Sequence, residues 1–196
     1  MKSNATRTLR LTQMSLLCAL LVVMSVTPIG FVMIPPVAIT LMHIPVIIGA
    51  VLMGPLYGGL LGGFFGILSL IKATTSAASP VDMMFSPFLS GSPLASLVMT
   101  LVPRILLGVI AGYAFLALRK ICKRDTLAIG IAAIVASACH SLLVLGCLSV
   151  FFSALPLKQV FLTIVTLNGF LEIIVAAILG IAVCTPLLKM INKSHT

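Results

Sequence analysis

The chain has 196 residues, of which 61% are apolar and 8% charged, where soluble domains carry roughly 45–50% and 25%. A core this small cannot hide that much apolar surface from water, so the solvent around most of the molecule is lipid. The formal charge of +9 comes from twelve Lys and Arg against Asp82, Asp125 and Glu172. It does not mark a nucleic-acid partner, because the basic residues punctuate apolar runs instead of clustering on one folded face.

A helix needs about 20 mainly apolar residues to cross the hydrocarbon layer. Taken in chain order, the sequence predicts six such segments. The first runs from Leu11 to Thr27, before Pro28-Ile29-Gly30, and the second from Val37 to Met53, between Pro35-Pro36 and Gly54-Pro55. The third runs from Leu56 to Ile71, and a long polar loop rich in Ser, Thr and Pro then extends from Lys72 to Pro93. The fourth covers Leu94 to Leu118, a basic turn follows over 119–125, and the fifth covers Leu127 to Val150. The sixth, after a short connection near Pro156, covers Gln159 to Leu188. The expectation is an all-α membrane protein, one domain over residues 1–196, with a long outer loop between helices 3 and 4.

Basic loops are retained in the cytoplasm. With the N-terminus inside, Lys2, Arg7, Arg10, Arg119, Lys120, Lys123, Arg124, Lys189 and Lys193 are internal, against only Lys72, Arg104 and Lys158 elsewhere. Both termini are therefore expected in the cytoplasm and the longer loops outside. The basic N-terminus has no small-residue cleavage site before a soluble domain, so it does not read as a removable signal peptide.

The five cysteines form no C-x-x-C pair and lie mostly in apolar segments, where a thiol behaves as a small hydrophobe. No disulfide framework, metal site or cofactor is expected. Nor are enzyme signatures present: the sequence lacks G-x-x-x-x-G-K-[ST], H-E-x-x-H and G-x-S-x-G. Glycines at 58, 62 and 66 on the third segment and at 108 and 112 on the fourth repeat at i,i+4. Such smooth faces let helices approach closely.

Ionisable groups inside a membrane cost a few kcal/mol on insertion scales, so each one is a functional candidate. They are Arg104 on the fourth segment, His140 on the fifth, Glu172 with Asn168 one turn before it on the sixth, and His43 on the second. At about 1.5 Å per residue, Arg104, His140, Asn168 and Glu172 fall in the central to outer membrane. A guanidinium is a planar fork for a carboxylate or phosphate, so Arg104 is a natural anchor for a small anion. It can equally pair with Glu172. Asn168 supplies a donor and an acceptor, and the histidines supply a ring nitrogen each. For His43, before Ile44-Pro45, the alternative is a bond to the carbonyl that the proline frees. Phe85 and Phe88 in the outer loop are placed to cover a cavity.

His43-Ile44-Pro45-Val46, the Gly54-Pro55 turn, the glycine-rich third segment, Pro103-Arg104 and Asn168-Gly169-Phe170-Leu171-Glu172 together resemble the substrate-binding S components of energy-coupling factor (ECF) vitamin transporters. The resemblance implies a high-affinity vitamin receptor in the bacterial plasma membrane. It also implies docking on a module of one transmembrane coupling protein and two ATPases, so that ATP is hydrolysed in the partners and the chain itself is not an enzyme. The family's coupling surface is usually an Ala-x-x-x-Ala pair on the first helix; here Ser15 and Ala19 stand at that spacing, with Ser in the first position.

Pantothenate is the first choice of substrate, since its single carboxylate suits Arg104 and its hydroxyls and amide suit Asn168 and His140. Riboflavin, without a carboxylate and in want of aromatic stacking, is the alternative within the family, and the sequence has no Trp. Outside the transporters, the same features fit a membrane scaffold whose glycine faces bind other membrane proteins.

Overall fold

The computed structural model describes residues 2–34, 37–77, 80–152 and 169–193, with side chains over 7–30, 40–77, 80–152 and 169–190. Helix α1 spans Lys2–Val26, α2 His43–Met53, α3 Pro55–Thr75, α4 Pro80–Met84, α5 Pro93–Ile121, α6 Asp125–Phe151 and α7 Gly169–Lys193. Five of these, α1, α3, α5, α6 and α7, are long and apolar enough to cross a membrane. Their outward residues are apolar as lipid requires: Leu16 is 70% exposed and Leu56 72%.

The expectation of an all-helical chain needs one correction. Residues Phe31–Ile34 (β1) and Val37–Thr40 (β2) pair as an antiparallel hairpin, with Phe31 opposite Thr40 and Ile34 opposite Val37. The second helix therefore starts at His43, not at Val37. The reason is local: Val32, Ile34, Val37, Ile39 and Thr40 are β-branched, and Pro35-Pro36 bars helix continuity between them. Two smaller shifts follow the same logic. Helix α1 begins well before Leu11, and α3 runs through Lys72 to Thr75, so the expected long loop is shortened and carries the single turn of α4.

Helix α2 is apolar on all sides, and ten of its eleven residues are buried. A helix without a polar face belongs inside a bundle. It packs against α3, α5 and α7, with α1 and α6 flanking. Eleven residues extend only about 16 Å, roughly half of the hydrocarbon layer.

At its far end α2 turns directly into α3 through Gly54, whose φ of 100° is open to glycine and strained for other residues. Pro55 then starts α3 with a preset φ and no N–H to satisfy. Helices α3 and α5 meet along a glycine seam: Gly58 against Gly108, Gly62 against the carbonyl of Arg104, Gly66 against Leu101 and Thr100, and Gly112 against Pro55. A methyl group at Gly62 would run into the α5 backbone. Without a water-driven hydrophobic force between helices in lipid, such close backbone approach is what gives the dispersion energy that holds them.

The bundle has two distinct ends. Arg10 lies over the ring of Tyr57 at 5.8 Å, Pro55 meets Gly112, and Arg119 pairs with Asp125 at 3.2 Å across the α5–α6 turn. Gly130 of α6 packs on Ile181 of α7, which brings the end of α7 to this same basic end. The hairpin, α4 and the end of α6 form the other.

The seam yields a paired expectation. Gly62→Ala forces the α5 backbone away and costs roughly 1–3 kcal/mol, whereas Gly63→Ala meets only the Ile105 side chain at 3.6 Å and is neutral or slightly stabilising. Melting of the purified variants in detergent separates the two; equal melting temperatures would contradict the seam.

Candidate functional site

Arg104 sits on α5 about 16 Å from the helix start, counting 1.5 Å per residue. It is 6% exposed. Its local partner is dictated by the residue before it. Pro103 has no N–H, so the carbonyl four residues back, that of Met99, is left without its helical donor. An N–H of the Arg104 guanidinium donates to that oxygen at 2.9 Å. The rest of the head group lies between two aromatic faces, with Phe65 of α3 at 5.6 Å and Phe85 at 5.0 Å. Cation–π attraction of this kind strengthens when the cation is desolvated. Among the described residues the buried guanidinium Nε has no hydrogen-bond partner.

Phe85 is carried by the segment after α4, which is fastened to α5 by side chains. Ser96 donates to the carbonyl of Met84 at 2.6 Å and Thr100 to that of Phe85 at 3.3 Å. Val81 packs with Met99 and Leu148 beneath them. Phe88, by contrast, is 83% exposed, and its ring takes no part in the cluster.

His140 of α6 is 4% exposed and faces the same place: its Nδ1 donates to the carbonyl of Pro103 at 3.3 Å, and its ring lies 6.4 Å from Phe65. In the neutral ring, donation from Nδ1 leaves Nε2 as an acceptor. Pro103 thus organises two of the candidate residues, one through the carbonyl it leaves free and one through its own.

Glu172 and Arg104 are near enough to interact electrostatically but are not an ion pair. Glu172 Oε1 instead accepts the backbone N–H of Thr40 at 2.7 Å, tying α7 to the hairpin. His43 is the first residue of α2, not a mid-helix residue as the sequence implied, and it is 1% exposed. Its Nδ1 donates to the carbonyl of Thr40 at 2.7 Å. The proline-freed carbonyl, that of Leu41, is taken by the Ile44 N–H at 3.1 Å. Among the described residues the buried Nε2 of His43 has no hydrogen bond, with the Glu172 main chain beside the ring but outside bonding geometry.

Arg104, His140 and Phe85 therefore converge directly, and His43 and Glu172 are joined through Thr40. Asn168 lies outside the described residues, as do the connection near Pro156 and the first turns of the predicted sixth segment. Ser15 and Ala19 lie elsewhere, on the exposed face of α1 beside Leu16 and Leu20. A cleft of about 250 Å³ between the ends of α1 and α3, lined by Ser25, Lys72, Thr75 and Ser76 among others, includes none of the cluster. Sequence reading missed Thr40, Phe65 and the two carbonyls; only the carbonyls had a signal, a proline one residue before a buried arginine.

Residues 9–184 match the family of ECF transporter substrate-specific components. The chain is 34% identical over 168 residues to the pantothenic acid transporter PanT of Lactococcus lactis subsp. cremoris, covering 81% of this chain and 82% of that one. It is also 36% identical over 77 residues to the pantothenate transporter PanT of Leuconostoc mesenteroides, covering 39% and 33% respectively. Five apolar helices of membrane-crossing length, a buried polar cluster around Arg104 and this match over most of the chain agree: the protein is a multi-pass membrane protein belonging to the ECF transporter substrate-specific components.

Proposed function

We propose that the chain captures pantothenate from outside the cell and that Arg104 holds its carboxylate. The observation that carries this reading is a buried guanidinium with no carboxylate in ion-pair contact among the described residues, since Glu172 is engaged by Thr40. A lone cation in a membrane is costly, and a bound carboxylate offsets that cost with charge-assisted hydrogen bonds. The names of the two relatives point to the same substrate. The polar complement agrees as well: pantothenate brings one carboxylate for Arg104, and hydroxyl and amide donors for the acceptor nitrogens of His140 and His43. Asn168 completes the set of proposed contacts, with Phe85, and Phe88 beyond it, as the cover.

In this reading α2 and the hairpin together make a sixth crossing, and the basic end of the bundle, with both termini, faces the cytoplasm. The site then opens outward. The exposed Ser15–Ala19 face of α1 is the docking surface for a transmembrane coupling protein, which brings two ATPases. No catalysis falls to this chain.

Titration of the purified protein with pantothenate tests the anchor. Arg104→Ala is expected to cost roughly 2–5 kcal/mol, about thirtyfold or more in Kd, and Arg104→Lys to recover only part, because an ammonium lacks the planar fork. Unchanged affinity in Arg104→Ala would refute it. Ala19→Leu is expected to leave pantothenate binding by the isolated chain intact while abolishing uptake by cells that also carry the coupling module. Loss of binding in that variant, or normal uptake, would remove α1 as the docking face.

A further inference from the structure

The hairpin poses a problem that only the interior of the protein can solve. Leu41 N–H donates to Gly30 at 3.0 Å, next to the Phe31–Thr40 pair. Backbone N–H groups of an antiparallel strand alternate toward and away from the partner strand. The N–H of Thr40 therefore points away from β1, along an open edge where lipid and apolar side chains offer no acceptor. Glu172 Oε1 meets it at 2.7 Å.

The other atoms of Thr40 are equally committed. Its carbonyl receives Nδ1–H of His43 at 2.7 Å, and its hydroxyl oxygen receives the N–H of Met42 at 3.4 Å. A carbonyl can only accept, so the proton of the neutral His43 ring is on Nδ1 and Nε2 carries a lone pair. That nitrogen is buried and has no hydrogen bond among the described residues, with the Glu172 main chain beside the ring. The chain of contacts runs from α7 through the hairpin to one acceptor atom at the start of α2.

We propose that Glu172 is a positioning residue: by holding the Thr40 N–H it fixes the strand-to-helix junction so that His43 presents Nε2 as a hydrogen-bond acceptor to a hydroxyl or amide donor of the bound molecule. This rests on the reading of the chain as a pantothenate receptor and specifies Glu172 within it: the carboxylate acts on the protein backbone and does not touch the substrate. Its negative charge is secondary; its oxygen is what matters.

The prediction separates oxygen from charge. Glu172→Gln keeps an acceptor for Thr40 and is expected to bind pantothenate within about threefold of wild type, whereas Glu172→Ala loses about tenfold, the usual worth of one such bond. In a double-mutant cycle, Glu172→Ala added to His43→Ala is expected to cost nothing further, since both act through the same atom. Two measurements need no ligand: amide exchange at Thr40 in the full chain in detergent, and the ¹⁵N spectrum of His43. Thr40 exchange is expected to be fast in Glu172→Ala and slow in wild type and Glu172→Gln, with Nε2 unprotonated in wild type. Equal loss in the Gln and Ala variants, additive costs in the cycle, or unchanged Thr40 exchange in the Ala variant would overturn the assignment. Failure of wild type to bind pantothenate would instead sink the substrate reading, while exchange at Thr40 still decides the role of Glu172.

Discussion

Lipid supplies no hydrogen bonds, so each polar group at the centre of this bundle has to find its partner within the protein. The arrangement around Arg104 follows from that requirement. Pro103 opens a gap in the hydrogen-bond ladder of α5, and Arg104 fills it by folding back on the Met99 carbonyl. The same proline lends its own carbonyl to His140. On the other side, the free edge of the hairpin takes the carboxylate that would otherwise have been the natural partner of Arg104. The guanidinium is left between Phe65 and Phe85 with part of its donor capacity unspent.

Rigidity comes from a different source. The glycine seam fixes α3 against α5 at backbone distance, and it does so at Arg104 itself, through Gly62. Helix α2, apolar after His43 and almost wholly buried, is the spine on which α3, α5 and α7 assemble. Because the helix covers only half of the membrane, its start and the hairpin before it bring backbone polar groups to the depth of the cluster, in a place where protein surrounds them. A full-length helix would have sealed its own N–H groups and left Glu172 with no edge to hold.

Much of this was legible in the sequence. Apolar run lengths located all five long helices to within a few residues at most ends, and the glycine spacing on segments three and four named the seam. The rarity of charge in the membrane picked out Arg104, His140, Glu172 and His43 without reference to any relative. What was not legible has a physical cause in each instance. The segment 31–40 is as apolar as a helix, and only its β-branched content around Pro35-Pro36 distinguishes it; length and hydropathy do not. The partner of Glu172 is a backbone N–H 132 residues away, and backbone groups carry no sequence signal. Phe65 reads as one more apolar residue on a glycine-rich helix until the fold brings it over Arg104. The extension of α3 through Lys72 to Thr75 was hidden because polar residues at a helix end look like the loop that follows.

Arg104 is proposed as an anion anchor kept available by its neighbours. A structure of the protein with pantothenate bound in a lipid nanodisc tests it most directly. The expected result places the carboxylate within hydrogen-bonding distance of the Arg104 guanidinium, about 3 Å, with a hydroxyl or amide of the ligand on Nε2 of His43. Pantothenate lodged instead beside Lys72 in the cleft between α1 and α3, with Arg104 still held only by Met99 and its two aromatic faces, would contradict it.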